Sequence, residues 1–520
     1  MSRYRYVMRV ALTVAMGGFL MGFDASVISG VVKFIEPQFD LSKIQLGWAV
    51  SSLTLTATLA MMLSGPLSDR IGRRRVLFLA AILYAVSAIA SALAPTFVIL
   101  VIARMIGGLG VGASLIIAPM YIAEIAPPKV RGRMVSFNQL NIVLGISAAF
   151  FTNYLILQLG QSDAGWARSL MFDEHNWRWM LGLETAPAVL YFLCLYLVPE
   201  SPRWLIMRGR QDEAMVVMSR VSNPEQAGRD IEAIGASLAA DSNRQTQQPL
   251  AVLFSKPMRL VLSIGLTVAI LQQITGINSV FFYAPMIFEQ SGIGTDASFM
   301  QAVLVGLTNL LFTLFAIALI DRIGRKPLLI FGVAGIALCM MLLAWGFNAA
   351  TYTLSEEAIA GLPAAIDRAL LEPLLNMTFA SDISFTQAMS NSLGAAVFQE
   401  FEAELVSAAI TINPSLILIG ILGFVACFAI SIGPVMWVLF SELFPNRIRG
   451  LAISFVGLVN SGVSFTVQLL FPWQLANLGN AATFFIYGVF AIIGLLLIAR
   501  LLPETRGKSL EELERQLVTT

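Results

Sequence analysis

The strongest constraint on this chain is a series of twelve apolar stretches, each long enough to cross a lipid bilayer as a helix. A spanning helix needs about 20 predominantly apolar residues. The stretches lie near residues 7–30, 44–66, 76–94, 97–124, 132–158, 177–199, 257–290, 296–320, 327–348, 413–443, 449–473 and 480–502. Because only 12% of the residues are charged and 57% are hydrophobic, a soluble protein of this composition could not cover its surface with polar groups. We therefore predict an all-α membrane protein with twelve transmembrane helices.

The first stretch has the basic start of a secretory signal peptide, with Arg3, Arg5 and Arg9 ahead of the apolar residues. The apolar run continues beyond the usual length of such a peptide and contains Asp24. It is not followed by small residues in the pattern that signal peptidases cleave. We interpret it as the first spanning helix.

A polar segment at 200–256 separates the first six stretches from the last six. It predicts three parts: an N-terminal six-helix half at 1–199, a helical linker at 200–256 and a C-terminal six-helix half at 257–520. Within the linker, helices are expected around 212–220 and 230–240. The second half carries an insertion at 349–411, expected to form short helices, and ends in a short tail.

The orientation in the membrane follows from the basic residues of the short loops, which concentrate on the cytoplasmic side. One side carries the sequences DRIGRRR, PPKVRGR, MRGR, DRIGRK, NRIRG and PETRGK. The opposite side carries only Lys33, Lys43, Arg168, Arg178 and Arg368. Both termini and the linker are therefore predicted to be cytoplasmic, and the insertion to lie on the outer side of the cell membrane.

The two halves repeat each other's polar motifs. The sequence DRIGR occurs at 69–73 and again at 321–325, and PES near residue 200 recurs as PET near residue 504. Glu124 and Arg131 are matched by Glu442 and Arg449. Two parallel repeats of spanning helices are typical of transporters that work by alternating access, with the solute held near the middle of the membrane between the repeats.

Several function classes are disfavoured by the sequence. A net charge of +1 gives no basic field for nucleic acid. His175 is the only histidine, and three scattered cysteines provide neither a zinc site nor a disulfide framework. The glycines at 107, 108, 110 and 112 follow no strand, so they favour close helix packing over a nucleotide loop. We expect no enzyme activity, no metal and no cofactor.

Seven motifs together resemble the sugar porter family of the major facilitator superfamily. They are Gly65-x-x-x-Asp69-x-x-Gly72-Arg73, RMIGGLGVG, PMYIAEIAPPKVRG, PESPRWL, QQITGINSVFFYAP, GPVMWVLFSELFP and PETRGKSLEE, in family order over the chain except 349–411. The resemblance implies two pseudo-symmetric six-helix halves that form the major facilitator fold. Among family members, the chain is most similar to bacterial D-xylose:proton-type symporters, whereas Ile146 and Phe281 resemble the pocket of glucose facilitators.

Amide side chains are the candidate solute ligands, because Gln and Asn both donate and accept hydrogen bonds without placing a charge in the membrane. Gln272, Gln273 and Asn278 can line one face of the seventh span. By resemblance, the full set of sugar-contacting residues is Gln139, Gln272, Gln273, Asn278, Asn309, Trp437 and Asn460. The alternative is that some of these amides only join neighbouring helices.

A charge near the membrane centre is costly and indicates function. Asp24 in the first span and Arg104 in the fourth reach similar depths, counted at about 1.5 Å per residue, so they can pair. Protonation of Asp24 would release Arg104 and favour another facing state. Glu184 in the sixth span is a second proton-coupling candidate. The alternative is that these charges only fix helix packing.

Acidic and basic residues at matching places in both halves are the candidate gate. They are Asp69, Arg73, Glu124, Arg131, Glu200, Arg325, Glu442, Arg449 and Glu504, which can pair within or across the halves. The aromatic pair Phe282 and Tyr283 after the seventh-span amides is also assigned to gating. Incidental surface pairs, worth about 0–1 kcal/mol each, are the alternative for the charged residues.

The sequence as a whole predicts a monomeric secondary active transporter that moves a monosaccharide together with protons across the cell membrane. Its expected partners are the sugar, protons and the lipid bilayer, without nucleic acid. The alternatives are a facilitative sugar uniporter, a symporter for myo-inositol or another polyol, and a sugar sensor. Asp24 favours symport over facilitative uniport, since the facilitators of the family carry a neutral residue at that position.

Overall fold

The structure is a computed structural model that describes residues 3–127, 130–244, 250–445 and 448–505. The first five spanning helices are α1 Arg3–Gln38, α2 Lys43–Ile71, α3 Arg73–Ala92, α4 Phe97–Ile125 and α5 Arg131–Gly160. After the short helix α6 Gly165–Ser169, the sixth span consists of α7 Asn176–Gly182 and α8 Thr185–Cys194, followed by a 3₁₀ turn at Leu195–Leu197. Each predicted span of the first half is confirmed as helical.

The linker is helical, as the sequence predicts. It contains α9 Pro202–Met207, α10 Gln211–Val221, α11 Pro224–Arg244 and α12 Leu250–Leu253, followed by a 3₁₀ turn at Lys256–Met258. The helices expected around 212–220 and 230–240 correspond to α10 and α11. Linker residues 245–249 lie outside the described residues.

The seventh span is broken rather than continuous. It consists of α13 Arg259–Ile274, α14 Ile277–Phe282 and α15 Ala284–Glu289, and is followed by α16 Thr295–Ile323 and α17 Arg325–Asn348. The first break lies at Gly276, whose φ of 88° is accessible to glycine and strained for other residues. A Cβ at this position would stand 2.5 Å from the ring of Tyr487. The positive φ and the close approach both require glycine here.

The insertion at 349–411 forms a small folded layer. It contains β1 Thr351–Thr353, α18 Glu356–Gly361, a 3₁₀ helix Arg368–Leu374, β2 Thr378–Phe379, α19 Asp382–Leu393, α20 Ala395–Glu400, α21 Glu402–Ala409 and β3 Ile410–Thr411. The strands form an antiparallel sheet in the order β2-β1-β3, in which Tyr352 lies opposite Phe379 and Ile410. The predicted short helices are confirmed. The sheet was not predicted, because strands of two or three residues are too short to show an alternating pattern.

The last three spans follow the insertion as α22 Pro414–Ile430, α23 Ile432–Leu443 and α24 Arg449–Leu501. The tenth span bends at Ser431, between α22 and α23. The 53-residue α24 contains two spans, because Gly479 interrupts its helical geometry with a φ of 82°. Eleven described helices are long and apolar enough to cross a membrane, and counting the two parts of α24 separately gives the twelve predicted spans.

Contacts between residues divide the chain into two compact units. Unit 1 consists of Met1–Ser26, Ser52–Ala149 and Leu181–Phe254, and unit 2 of Val27–Ser51, Phe150–Met180 and Ser255–Thr520. The ends of the first, second, fifth and sixth spans thus belong to the same unit as the later spans. The reason is close packing inside unit 2: a Cβ on Gly47 would stand 2.0 Å from the carbonyl oxygen of Leu469.

Unit 1 uses small residues to bring its helices together. A Cβ on Gly108 of α4 would stand 2.1 Å from Thr56 Oγ1 of α2, and one on Gly112 would stand 2.1 Å from the carbonyl oxygen of Ala57. Van der Waals packing at such short separations stabilises helix contacts in membranes, where lipid is as apolar as leucine. The packing role expected for the glycines of α4 is therefore observed.

Candidate functional site

A buried ion pair joins α1 to α4 within unit 1. Arg104 Nη1 lies 3.5 Å from Asp24 Oδ1, and the two side chains are 1% and 2% exposed. Asp24 Oδ2 lies over Gly107, where a Cβ would stand 2.6 Å from it. The glycine therefore leaves the space that the carboxylate occupies.

Glu184 lies beside this pair, at the break between α7 and α8. Its residue is 2% exposed, its Oε1 has no hydrogen-bond partner among the described residues, and it is in electrostatic range of both Asp24 and Arg104. Two carboxyl groups and one guanidinium thus lie together in a buried site. Since uncompensated buried charge is costly, one proton on either carboxyl group would bring this buried cluster to neutrality. The arrangement is suited to binding and releasing one proton.

An amide network occupies unit 2 around the break in the seventh span. Asn460 Nδ2 donates to Gln272 Oε1 and to the carbonyl oxygen of Ala269, both at 2.8 Å. Gln273 Nε2 donates to Asn460 Oδ1 at 3.3 Å and to Gln272 Oε1 at 3.1 Å. Asn278 Nδ2 donates to Gln273 Oε1 at 2.9 Å. Four predicted solute ligands from the seventh and eleventh spans are thus connected, and Gln273 and Asn278 are only half-buried.

Three further predicted solute ligands lie outside this network. Asn309 is buried in α16 and belongs to none of the network's hydrogen bonds among the described residues. Trp437 of α23 is 47% exposed and packs edge-on against Phe440. Gln139 of α5 belongs to unit 1 and is exposed. Trp437 and Gln139 thus lie at exposed positions outside the amide network.

The aromatic residues assigned to gating lie at the junction of α14 and α15. Phe282 is buried, and Tyr283 is fully buried. The Tyr283 hydroxyl donates to the carbonyl oxygen of Gln468 at 3.0 Å, and its ring centroid lies 5.2 Å from that of Phe471. These contacts hold the end of the seventh span against the eleventh.

In unit 1, Arg73 is the centre of the predicted charge cluster. Its guanidinium makes two hydrogen bonds of 3.1 Å to the Glu124 carboxylate and one of 2.8 Å to Asp69. Glu200 accepts from the backbone N–H of Arg74 at 3.1 Å and so caps the start of α3. Gly72 has a φ of 103°, and a Cβ there would stand 2.4 Å from Glu200 Oε2.

Unit 2 repeats this arrangement. Arg325 Nη2 donates to Glu442 at 2.8 Å. Glu504 accepts from the backbone N–H groups of Arg325 and Lys326, both at 3.2 Å, and so caps the start of α17. Gly324 has the matching φ of 105° beside Glu504. The helix ends around Arg73 in unit 1 and around Arg325 in unit 2 are called the motif ends below.

Arg131 and Arg449 behave differently from the other predicted gate residues. Arg131 is exposed, and Arg449 donates through Nε to the carbonyl oxygen of Phe444 at 3.2 Å. Neither takes part in an ion pair among the described residues. The structure therefore assembles seven of the nine predicted charges into two matching clusters, each inside one unit.

Sequence reasoning missed a set of ion pairs beneath the insertion. Lys33 Nζ lies 2.6 Å from Glu289, and Lys43 Nζ lies 2.6 Å from Glu36 and 3.9 Å from Glu402 of the insertion. The only sequence signal was that lysine is rare in the loops predicted to lie on the outer side of the membrane. Among the described residues, no group of three or more His, Cys, Asp or Glu side chains is arranged to hold a metal ion.

Comparison with known proteins identifies the family. The model of the family described as "Sugar (and other) transporter" matches residues 10–366 and 388–517. The chain belongs to this family. The unmatched residues 367–387 fall within the insertion, so the transporter departs from the family model only there and at its two ends.

Two relatives and one solved structure show the extent of the similarity. The transporter is 33% identical over 510 residues to the arabinose-proton symporter of Bacillus subtilis (strain 168), covering 98% of this chain and 95% of the relative. It is 34% identical over 545 residues to the D-xylose-proton symporter of Escherichia coli (strain K12), with the same coverage. The inward open conformation of the xylose transporter XylE from E. coli matches with a TM-score of 0.74 and 31% identity, over 98% of this chain and 100% of that one. The transporter therefore has the twelve-helix major facilitator fold.

Proposed function

We propose that this transporter is a proton-coupled monosaccharide symporter that works by alternating access. The observation that carries the proposal is the buried cluster of Asp24, Glu184 and Arg104, in which two acids share one base. A transporter that only let sugar diffuse would have no need for a titratable site that is costly to bury. The two relatives named above are described as proton symporters for arabinose and for xylose.

The sugar is assigned to the amide side chains. Gln272, Gln273, Asn278 and Asn460 hydrogen-bond to one another, and each can exchange such a bond for one to a sugar hydroxyl at little net cost. Asn309 and Gln139 add further amides. The exposed indole of Trp437 offers an apolar face to the C–H surface of a sugar ring.

The halves 1–199 and 257–520 are the moving parts, and the motif ends are cytoplasmic, as the basic loops favour. Each half is held together at its cytoplasmic end by an ion pair, Arg73 with Glu124 in the first half and Arg325 with Glu442 in the second. Phe282 and Tyr283 move with the seventh span. The protein works as a monomer in the cell membrane, with both termini and the linker in the cytoplasm.

The test is a pH recording in weakly buffered, energy-depleted cells that express the transporter, during addition of single pentoses, hexoses or myo-inositol. We expect external alkalinisation with at least one monosaccharide. Asp24→Asn should abolish the pH change and keep exchange of labelled for unlabelled sugar. Asp212→Asn, which changes an exposed linker carboxylate, is the matched control and should behave as the unsubstituted protein.

Two outcomes would replace this proposal. If labelled sugar enters and the pH stays constant, the protein is a facilitator, and the buried ion pair is structural. If only myo-inositol or another polyol produces alkalinisation, coupling is retained and the substrate class changes.

A further inference from the structure

Four buried hydroxyl side chains lie in the interior of unit 1, on the motif-end side of the Asp24 site. They are Ser87 and Tyr84 of α3, Ser114 of α4 and Tyr191 of α8, and all are at most 2% exposed. We call this group the hydroxyl ladder. None of its members was singled out by the sequence, and none is required by the sugar site.

The ladder begins next to the proton-binding site. A Cβ on Gly107 would stand 2.5 Å from Ser87 Oγ and 2.6 Å from Asp24 Oδ2, so these two oxygens are at most about 5 Å apart. Tyr84 lies one helical turn from Ser87, on the side nearer the start of α3. Its hydroxyl is in electrostatic range of both Asp24 and Glu184.

The ladder continues from Tyr84 to Ser114 and Tyr191. The Tyr84 hydroxyl faces that of Ser114. A Cβ on Gly17 would stand 2.9 Å from Tyr191 Oη and 3.3 Å from Ser114 Oγ, which places those oxygens at most about 6 Å apart.

The direction of the ladder follows from two independent helices. Ser114 is seven residues beyond Gly107 in α4, and Gly17 is seven residues before Asp24 in α1. At 1.5 Å per residue, both spacings correspond to about 10 Å along the helix axis. Along both helices, the step from the Asp24 site to the ladder residues runs toward the motif end, since α4 ends at the Glu124 cluster.

Two of the four ladder oxygens are poorly satisfied, whereas the Tyr191 hydroxyl donates to the carbonyl oxygen of Val14 at 3.5 Å. Tyr84 Oη and Ser114 Oγ have no hydrogen-bond partner of regular geometry among the described residues, as is also true of Asp24 Oδ2 and Glu184 Oε1. A buried polar group without a partner costs about 1–3 kcal/mol, and such groups in a native structure require an explanation. Apolar side chains of the same shape would pack at lower cost, so helix packing alone does not account for these hydroxyl groups.

We infer that the hydroxyl ladder is a proton path that carries the proton from the Asp24–Glu184 site toward the motif end, with Tyr84 as its central relay residue. A hydroxyl group can accept one proton on its oxygen while it donates its own to the next group. Each step therefore leaves every ladder residue neutral, and the last hydroxyl group passes one proton to water at the motif end for each proton that leaves the carboxyl group. The inference rests on the proposed proton-coupled function.

The test compares net uptake with exchange. Net proton-driven uptake requires the proton to leave its site in every cycle. Exchange of labelled external sugar for unlabelled internal sugar can proceed with the proton still bound. Tyr84→Phe removes one oxygen and keeps the ring. We expect it to lower the ratio of net uptake rate to exchange rate at least about tenfold, and to increase the slowing of net uptake in D₂O.

Tyr121→Phe is the matched control, because Tyr121 is also fully buried in unit 1 but its hydroxyl donates to the carbonyl oxygen of Pro199 at 2.8 Å. This control should leave the ratio unchanged. Ser114→Ala is a second, smaller change to the ladder and should lower the ratio in the same direction as Tyr84→Phe.

The inference is overturned if Tyr84→Phe and Ser114→Ala keep the ratio of the unsubstituted protein while that protein shows sugar-dependent alkalinisation. It is also overturned if both variants lose exchange and net uptake equally, since that would indicate a packing role. If the unsubstituted protein shows no alkalinisation with any sugar, the proposed function fails first, and the ladder has no proton to carry.

Discussion

The charge count in the buried site of unit 1 predicts how three variants will differ in stability. Asp24→Asn or Glu184→Gln each removes one carboxyl group and leaves the other in range of Arg104. The guanidinium then still has one carboxylate to compensate it. The double variant leaves Arg104, which is 1% exposed, with neither of these carboxylates.

The magnitudes follow from the cost of removing, from a buried guanidinium, both carboxylates that lie in its electrostatic range. Removing one partner of a buried ion pair typically costs about 3–5 kcal/mol, and we expect this loss for the double variant. Each single variant should lose no more than about 1.5 kcal/mol, the usual net value of one hydrogen bond. The contact that Asp24→Asn weakens is long, at 3.5 Å, which also favours a small effect.

The assay is equilibrium denaturation of the purified protein in detergent micelles, followed by tryptophan fluorescence, for the unsubstituted protein and the three variants. Glu213→Gln serves as the control, because this half-exposed carboxylate pairs with Arg210 at the surface and its loss should change stability by less than about 1 kcal/mol. The inference that both carboxyl groups compensate Arg104 is refuted if Asp24→Asn alone lowers the free energy of unfolding as much as the double variant does. It is also refuted if the double variant costs no more than the sum of the single ones.

Three further outcomes are expected. Gly324→Ala should lower the free energy of unfolding by about 1–3 kcal/mol in the same assay, because φ is 105° and the new Cβ would stand 2.8 Å from Glu504. Glu289→Gln should lower the free energy of unfolding by about 1–3 kcal/mol in the same assay, because it removes the carboxylate that Lys33 Nζ contacts at 2.6 Å. Asn460→Ala should raise the half-saturating sugar concentration in exchange about tenfold or more, because it leaves buried amide partners unpaired; unchanged affinity would exclude it from the sugar site.

Hydropathy alone was sufficient to predict the spans, because backbone groups in lipid must be satisfied within each helix. It did not predict where a span is interrupted. The breaks at Gly276 and Ser431 lie inside predicted spans, whereas the break at Gly479 falls between the predicted eleventh and twelfth spans. At Gly276 the break is recognisable only when Tyr487, a residue distant in sequence, is seen to occupy the space of a side chain.

The charged motifs show a second limit of prediction from the sequence. Their repetition predicted matching clusters in the two halves, and the structure contains them around Arg73 and Arg325. The sequence could not say whether the partners would lie within or across the halves. The three-dimensional packing places Glu124 beside Arg73 and Glu442 beside Arg325. It also places Glu200 at the start of α3 and Glu504 at the start of α17.

The sequence by itself determined the membrane class, the twelve spans, the helical linker and the candidate residues Asp24, Arg104 and Gln272. These features depend on local composition and on motifs that can be recognised in the sequence without knowledge of the fold. Only the tertiary structure grouped Glu184 with Asp24, connected the amides of the seventh and eleventh spans, paired Lys43 with Glu402 and lined up the hydroxyl ladder. The physical reason is that a serine or tyrosine in an apolar helix looks the same in sequence whether it faces lipid, a neighbouring carbonyl group or another hydroxyl, and only packing between distant segments decides which.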